Sequence, residues 1–276
     1  MKYLGTPFIS AFDIDELDTY RCTFQHNSNE LDFTLRRVEK SNVLIVAFPS
    51  ALAKNESGEP IYHRWSWGEK FDANFVSLSD PSFRKVGLLG GWFIDDGNRD
   101  IIQEYSVLIK SIANDLGIAN KNIVFYGSSM GGFGALMTAS YFEGSLCVAE
   151  VPQIDLRNYP WKSAIAAIER KCLDGTNLED FYKSYPERVS VIERMKKNSN
   201  FPNCEIISNF EDEENNELLT LQKAYKSYKT DNVFTGSIGL LTLSKFSGHK
   251  PLPTLLAVKN LKFMLRKQEI INKILK

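Results

Sequence analysis

Five residues, Gly127-Ser128-Ser129-Met130-Gly131, restrict what this chain can fold into more than any other stretch. An apolar run, Asn122-Ile123-Val124-Phe125-Tyr126, leads into them, and a helix-like run, Gly132-Phe133-Gly134-Ala135-Leu136-Met137-Thr138-Ala139, leads away. The pattern G-x-S-x-G between a strand and a helix demands a sharp turn that forces the central serine into a strained conformation, with no room for side chains on either flank. The helix start then aims backbone N–H groups at any anion formed when the serine oxygen attacks a carbonyl. Small residues cluster by chance in many proteins, so the setting carries the argument.

The rest of the chain reads as alternating strands and helices. Tyr20 to Gln25 and Leu31 to Val38 are expected strands around the turn His26-Asn27-Ser28-Asn29, within a β-rich entry over residues 1–40. Val43-Leu44-Ile45-Val46-Ala47-Phe48 is the continuous apolar run of a strand buried on both faces, broken at Pro49-Ser50. A weaker strand is expected at Phe75 to Leu78. Ile101, Ile102, Tyr105, Leu108, Ile109, Ile112 and Leu116 keep helical spacing as far as Gly117. Ser145 to Ala149, Asn203 to Ser208 and Val233 to Leu243 are later strands. A helical insertion is expected over about residues 159–197, lying over the sheet edge or capping the site, with further helices through Tyr228 and at the C-terminus. This order predicts an α/β fold: a mostly parallel central sheet with helices on both faces. Without repeats or a composition break, residues 1–276 are expected to form a single domain.

A serine needs a base to be nucleophilic, and the base needs an orienting acid. In the fold that carries this turn, the chain order is nucleophile, acid, histidine. Of His26, His63 and His249, only His249 follows Ser129, in the turn-rich Ser247-Gly248-His249-Lys250-Pro251. The acid is expected just past the strand ending at Ser208. Asp212 is the first choice, and its neighbours Glu211 and Glu213 remain open, although such a cluster also suits a solvated helix start. Asp231 lies just before the final strand, on the wrong side of the sheet. An oxyanion would take N–H groups from Met130 and from the loop Pro49-Ser50-Ala51-Leu52, where proline has none to give and Ser50 or Ala51 must supply it.

Two aromatic segments admit two readings. The indoles of Trp65 and Trp67 in Arg64-Trp65-Ser66-Trp67 would either form a substrate platform for sugar rings or an acyl chain, or belong to a packed loop that clamps the sheet edge; Gly90-Gly91-Trp92-Phe93 would either line the pocket mouth, with Trp92 as a substrate contact, or be turn punctuation. A formal net charge of −1 argues against a nucleic-acid partner. The longest apolar runs are too short to span a bilayer, and the start lacks a secretory signal. Cys22, Cys147, Cys172 and Cys204 have no metal-like spacing, so neither metal nor cofactor is expected, and a cytoplasmic location fits. Oligomeric state is open.

Taken together, Tyr126 to Leu136, Arg64 to Trp67, Gly91-Trp92-Phe93-Ile94 and Val151-Pro152-Gln153-Ile154-Asp155 resemble α/β-hydrolases found among polysaccharide-biosynthesis genes, over most of residues 43–160. The region around Gly248-His249 is similar in kind. Accessory Sec system acetyltransferases of Gram-positive bacteria, which acetylate sugars on a glycoprotein, have a similar elbow. Where that pattern has asparagine before Pro-Gln, this chain has Glu150-Val151. The resemblance implies a serine esterase or acyltransferase acting on small, acetyl-like esters of a glycan or its precursor. A non-catalytic scaffold of the same fold in a glycan assembly or export complex is the alternative; a peptidase or lipase ranks lower.

Overall fold

Apolar runs on both sides of the serine turn become neighbouring strands. The computed structural model describes residues 1–209, 211–212, 215–231, 236–243 and 248–274. The strands are β1 (Lys2–Tyr3), β2 (Thr19–His26), β3 (Asn29–Arg36), β4 (Leu44–Ala47), β5 (Asn74–Leu78), β6 (Ile123–Ser128), β7 (Leu146–Glu150), β8 (Asn203–Asn209) and β9 (Ile238–Leu243). They form one sheet in the order β1-β2-β3-β5-β4-β6-β7-β8-β9. From β5 to β9 every pairing is parallel, whereas β3 runs antiparallel to both β2 and β5. The fold is therefore mixed α/β with a mostly parallel sheet.

Alternation along the central strands sorts side chains between two cores. Leu44 and Val46, Ile123 and Phe125, and Cys147 and Ala149 enter the larger core. Their neighbours Ile45 and Ala47, Val124 and Tyr126, and Leu146 and Val148 enter the smaller one. A strand covered on both faces has no polar side to keep, which explains its unbroken apolar sequence. Helices α1 (Ile101–Asp115), α2 (Met130–Ala139) and α7 (Asn215–Asp231) contribute to the larger core, and α8 (Thr254–Ile274) to the smaller one.

The insertion holds α3 (Lys162–Cys172), α4 (Leu178–Ser184), α5 (Pro186–Val189) and α6 (Val191–Lys197). Two arginines anchor it. Arg194, with a side chain fully out of solvent, pairs with Asp100 at 2.7 Å, the residue that caps the start of α1. Arg188 donates to the carbonyls of Gly97 and Ile94. Removing one partner of such a buried pair costs about 3–5 kcal/mol.

Some boundaries differ from the sequence reading. β6 continues past Tyr126 to Ser128 because Gly127 and Ser128 still pair with Ala149 and Glu150 of β7. β9 is described from Ile238, and Val233, at the start of the expected strand, lies outside the described residues, as do Glu213 and Ser247. No helix among the described residues is long and apolar enough to cross a membrane.

Candidate active site

Ser129 sits between β6 and α2 with φ 53° and ψ −124°. That region is disfavoured for a residue with a side chain and costs about 1–3 kcal/mol, which surrounding packing must offset. The two glycines make the turn possible. A Cβ on Gly127 would lie 2.0 Å from the Gly131 carbonyl oxygen, and one on Gly131 would lie 2.8 Å from the carbonyl oxygens of Phe48 and Pro49. Both obstacles are backbone, so neither can move aside cheaply. The Ser129 N–H donates to the Glu150 carbonyl at 2.9 Å, tying the turn to the end of β7.

Three segments distant in sequence meet at this serine. His249 Nε2 lies 2.8 Å from Ser129 Oγ, and its Nδ1 lies 3.2 Å from Asp212 Oδ2. The Asp212 side chain is only 2% exposed, against 30% for His249. Asn209, the last residue of β8, fixes the histidine loop from beneath: its Nδ2 donates to the carbonyls of Gly248 at 2.7 Å and Lys250 at 2.6 Å, on either side of His249. Of the other carboxylates considered, Glu211 is exposed, Glu213 is outside the described residues, and the Asp231 side chain is not described.

Gln153 is a fourth member of this cluster. It is fully buried, with Nε2 3.3 Å from Ser129 Oγ and 3.2 Å from His249 Nε2. Its orientation follows from Trp92, whose indole N–H can only donate and does so to Gln153 Oε1 at 3.0 Å. The amide NH₂ therefore faces the serine and histidine. That donor requires a lone pair on His249 Nε2, which leaves the ring proton on Nδ1, toward Asp212. The Ser129 hydroxyl can then accept from Gln153 and donate to His249. The loop bearing Gln153 is itself held in place: Glu217 Oε2 accepts the N–H groups of Ile154 at 3.0 Å and Asp155 at 3.1 Å. Burial raises the Glu217 pKa. Val151, two residues before Gln153, has φ 40°, an outlier for a β-branched residue.

The N–H groups expected from the sequence to receive an oxyanion differ in their partners. Met130 opens α2, so its N–H has no partner within the helix. Among the described residues, no hydrogen bond engages the Ala51 N–H, while Ser50 N–H donates to His63 Nδ1 at 3.2 Å. The Ser50 N–H is thus already engaged, whereas the Ala51 N–H is not. Burial, with the Arg64 charge adding to it, lowers the His63 pKa to about 4, which keeps the ring neutral and its Nδ1 able to accept. Arg64 braces the same loop, donating to the Phe48 carbonyl at 3.1 Å, Ser50 Oγ at 3.2 Å and Ser128 Oγ at 2.6 Å. Burial raises the Glu150 pKa. Its carboxyl accepts from Tyr126 Oη at 2.8 Å and from the Leu252 N–H at 3.0 Å, linking the end of β7 to the segment after His249.

The tryptophans fall mostly on the structural side of their two readings. A platform for sugar rings needs an open face. Trp92 is 2% exposed and Trp67 is 7% exposed, the latter packed against Tyr126 with the Arg64 guanidinium over its ring. Trp65 is half-buried on the short turn Trp65–Lys70. Arg64 and Gln153 fall in stretches that the resemblance singles out, but nothing in the sequence gives the contacts that they, Asn209 and His63 make. The one local hint is a polar residue after proline in the Val151-Pro152-Gln153 loop beyond a central strand. Among the described residues, no cluster of three His, Cys, Asp or Glu side chains is suited to a metal ion.

No family model and no curated protein matches the sequence. Solved structures do match in fold. The capsule O-acetyltransferase of Neisseria meningitidis serogroup A aligns with a TM-score of 0.69 at 19% identity, over 88% of this chain and 94% of that one. Acetyl xylan esterase 1 from Thermoanaerobacterium sp. aligns at TM-score 0.57 and 14% identity, over 93% and 86%. The Glycosylation Associate Protein (Gap123) complex from Streptococcus agalactiae aligns at 0.55 and 15%, over 80% of this chain but 42% of that one. These neighbours, which include esterases of the α/β-hydrolase fold, match the resemblance drawn from the sequence. At such identities the likeness concerns the fold.

Proposed function

We propose that this chain is a serine esterase or acyltransferase of the α/β-hydrolase fold, one domain over residues 1–276, that handles small acyl groups, acetyl foremost, on a glycan or glycan precursor. The observation that carries this reading is the run of contacts from Ser129 Oγ to His249 Nε2 at 2.8 Å and from Nδ1 to Asp212 Oδ2 at 3.2 Å. In that arrangement His249 takes the hydroxyl proton as Ser129 Oγ bonds to the ester carbonyl carbon. Asp212 holds the tautomer and offsets the charge on the imidazolium. The N–H groups of Met130 and Ala51 receive the oxyanion. On collapse the ester C–O bond breaks, the leaving oxygen takes the proton from His249, and the acyl group stays on Ser129. Water or a sugar hydroxyl, deprotonated by the same histidine, then removes it.

Gln153 acts here as a positioning residue. Its amide fixes the resting tautomer, and it opposes an N–H on His249 Nε2, which favours passing the proton onward to the leaving group. The acetyl choice and the glycan draw support from the capsule O-acetyltransferase and acetyl xylan esterase among the fold neighbours. Four buried, unbridged cysteines fit a reducing compartment such as the cytoplasm.

The test is intact-mass analysis after brief exposure to an activated acetyl ester, followed by addition of water alone or of an oligosaccharide acceptor. The expected result is one acetyl group on Ser129, discharged to water or to sugar, and absent in Ser129→Ala. A folded wild-type protein that never acquires it would reject the enzyme and leave a binding module.

A further inference from the structure

The opposite end of the sheet carries a second feature that the ester chemistry does not use. Where β4, β5 and β6 begin, a cavity of about 870 Å³ opens between the sheet and α8. Six cations line it: Arg36, Lys40, Lys70, Lys121, Lys262 and Arg266. Only two carboxylates, Glu69 and Asp72, stand among them. Among the described residues, none of the six cations enters an ion pair, with those carboxylates or with any other. Such an unneutralised excess around a concave surface attracts and holds anions.

Arg36 makes this more than a solvated basic face. It ends β3, and its Nε and Nη1 atoms are buried without a hydrogen-bond partner. Orphaned guanidinium donors out of water are costly, and because the Nε–H and Nη1–H bonds diverge on the planar group they suit oxygens of separate anionic groups rather than two oxygens of one. Gly68 makes room for that side chain, since a Cβ there would lie 3.2 Å from Arg36 Cδ. The floor is apolar, formed by Val43, Phe71, Val124 and Leu265, with the Lys262 ammonium 5.7 Å from the centre of the Phe71 ring. The volume falls in the range that holds a nucleotide-sized or sugar-phosphate-sized molecule.

We propose that this cavity is a binding site for a diphosphate-bearing ligand, with the Arg36 guanidinium donating to the phosphate oxygens and the lysines and Arg266 balancing the rest of the charge. Six cations against two carboxylates leave a surplus of four, more than a single carboxylate ligand would neutralise. The ligand is not the reacting ester. Val124 on the cavity wall and Ser129 are five residues apart along β6 and the turn that follows it, or about 16 Å at 3.3 Å per residue. The proposal is independent of the reading of Ser129.

Isothermal titration with inorganic pyrophosphate at low ionic strength tests it, on wild type, Arg36→Gln and the double variant Lys262→Gln/Arg266→Gln. The wild type should bind one pyrophosphate saturably. Each variant should weaken binding about tenfold or more, as expected for lost charge-assisted hydrogen bonds. The double variant changes exposed helix residues, so it keeps the test valid if Arg36→Gln fails to fold. Labelling of Ser129 should be unchanged in both, which separates this site from the ester chemistry. No saturable binding to wild type, or equal binding by the folded double variant, would overturn the proposal.

Discussion

The two ends of the parallel strands treat polar groups in opposite ways. At the carboxyl end the key groups are spoken for: Ser129, His249, Asp212 and Gln153 lie in contact, and Asn209 and Arg64 brace the loops on either side. At the amino end, six cations line a cavity with no ion pair among the described residues, and Arg36 leaves two buried donors without partners. Chemistry on a bound carbonyl needs groups aligned before the substrate arrives, so their hydrogen bonds are completed internally. A site whose donors have no internal partner gains its stabilisation only when a ligand completes it.

The largest effect expected from breaking this contrast is at the serine. Ser129→Ala or His249→Ala should lower kcat for acetyl-ester cleavage by up to about 10⁶-fold, the loss seen when such a unit is dismantled. Steady-state kinetics on a chromogenic acetyl ester measure this, and pyrophosphate binding at the other end should not change. Equal activity in the variant would place the chemistry elsewhere.

The next effect concerns Gln153. Gln153→Met leaves the Trp92 indole N–H buried without an acceptor, which costs about 1–3 kcal/mol of stability. Thermal denaturation reads this as a lowered Tm. Gln153→Glu keeps that acceptor but puts a negative charge beside His249. A nearby anion favours the imidazolium, so the histidine must lose its proton at higher pH and the acid limb of kcat/KM should shift upward. A residue with only a packing role would lower activity without moving that limb.

How much of this is legible from sequence depends on how local the cause is. β4, β6 and β7 are legible because burial on both faces requires continuous apolar residues. The turn at Ser129 is legible because only glycine fits at Gly127 and Gly131. Chain order points to His249 without any knowledge of distance. The roles of Gln153 and Asn209 are not legible, because their partners lie 96 and 39 residues away and meet them only in the fold. Trp92 reads the same in sequence whether its ring faces solvent or, as here, is buried and holds an amide. His63 precedes the serine, and chain order gives no sign that it accepts the Ser50 N–H.

His63 gives the smallest expected effect. Its folded pKa is depressed to about 4, below the ordinary histidine value near 6.5. The neutral ring thus contributes stability that is fully present above about pH 6.5 and lost as pH falls through about 4, because the unfolded chain binds the proton first. His63→Gln should flatten the fall in Tm between those two values. An unchanged slope would mean that other groups set the acid sensitivity of this end.

The most direct test of the central claim is the reaction of the folded protein with a fluorophosphonate, followed by peptide mapping. The account predicts one adduct, on Ser129, formed rapidly by wild type and far more slowly by His249→Ala and Asp212→Asn. Absence of an adduct, or labelling of Ser129 at the same rate in all three proteins, would contradict it.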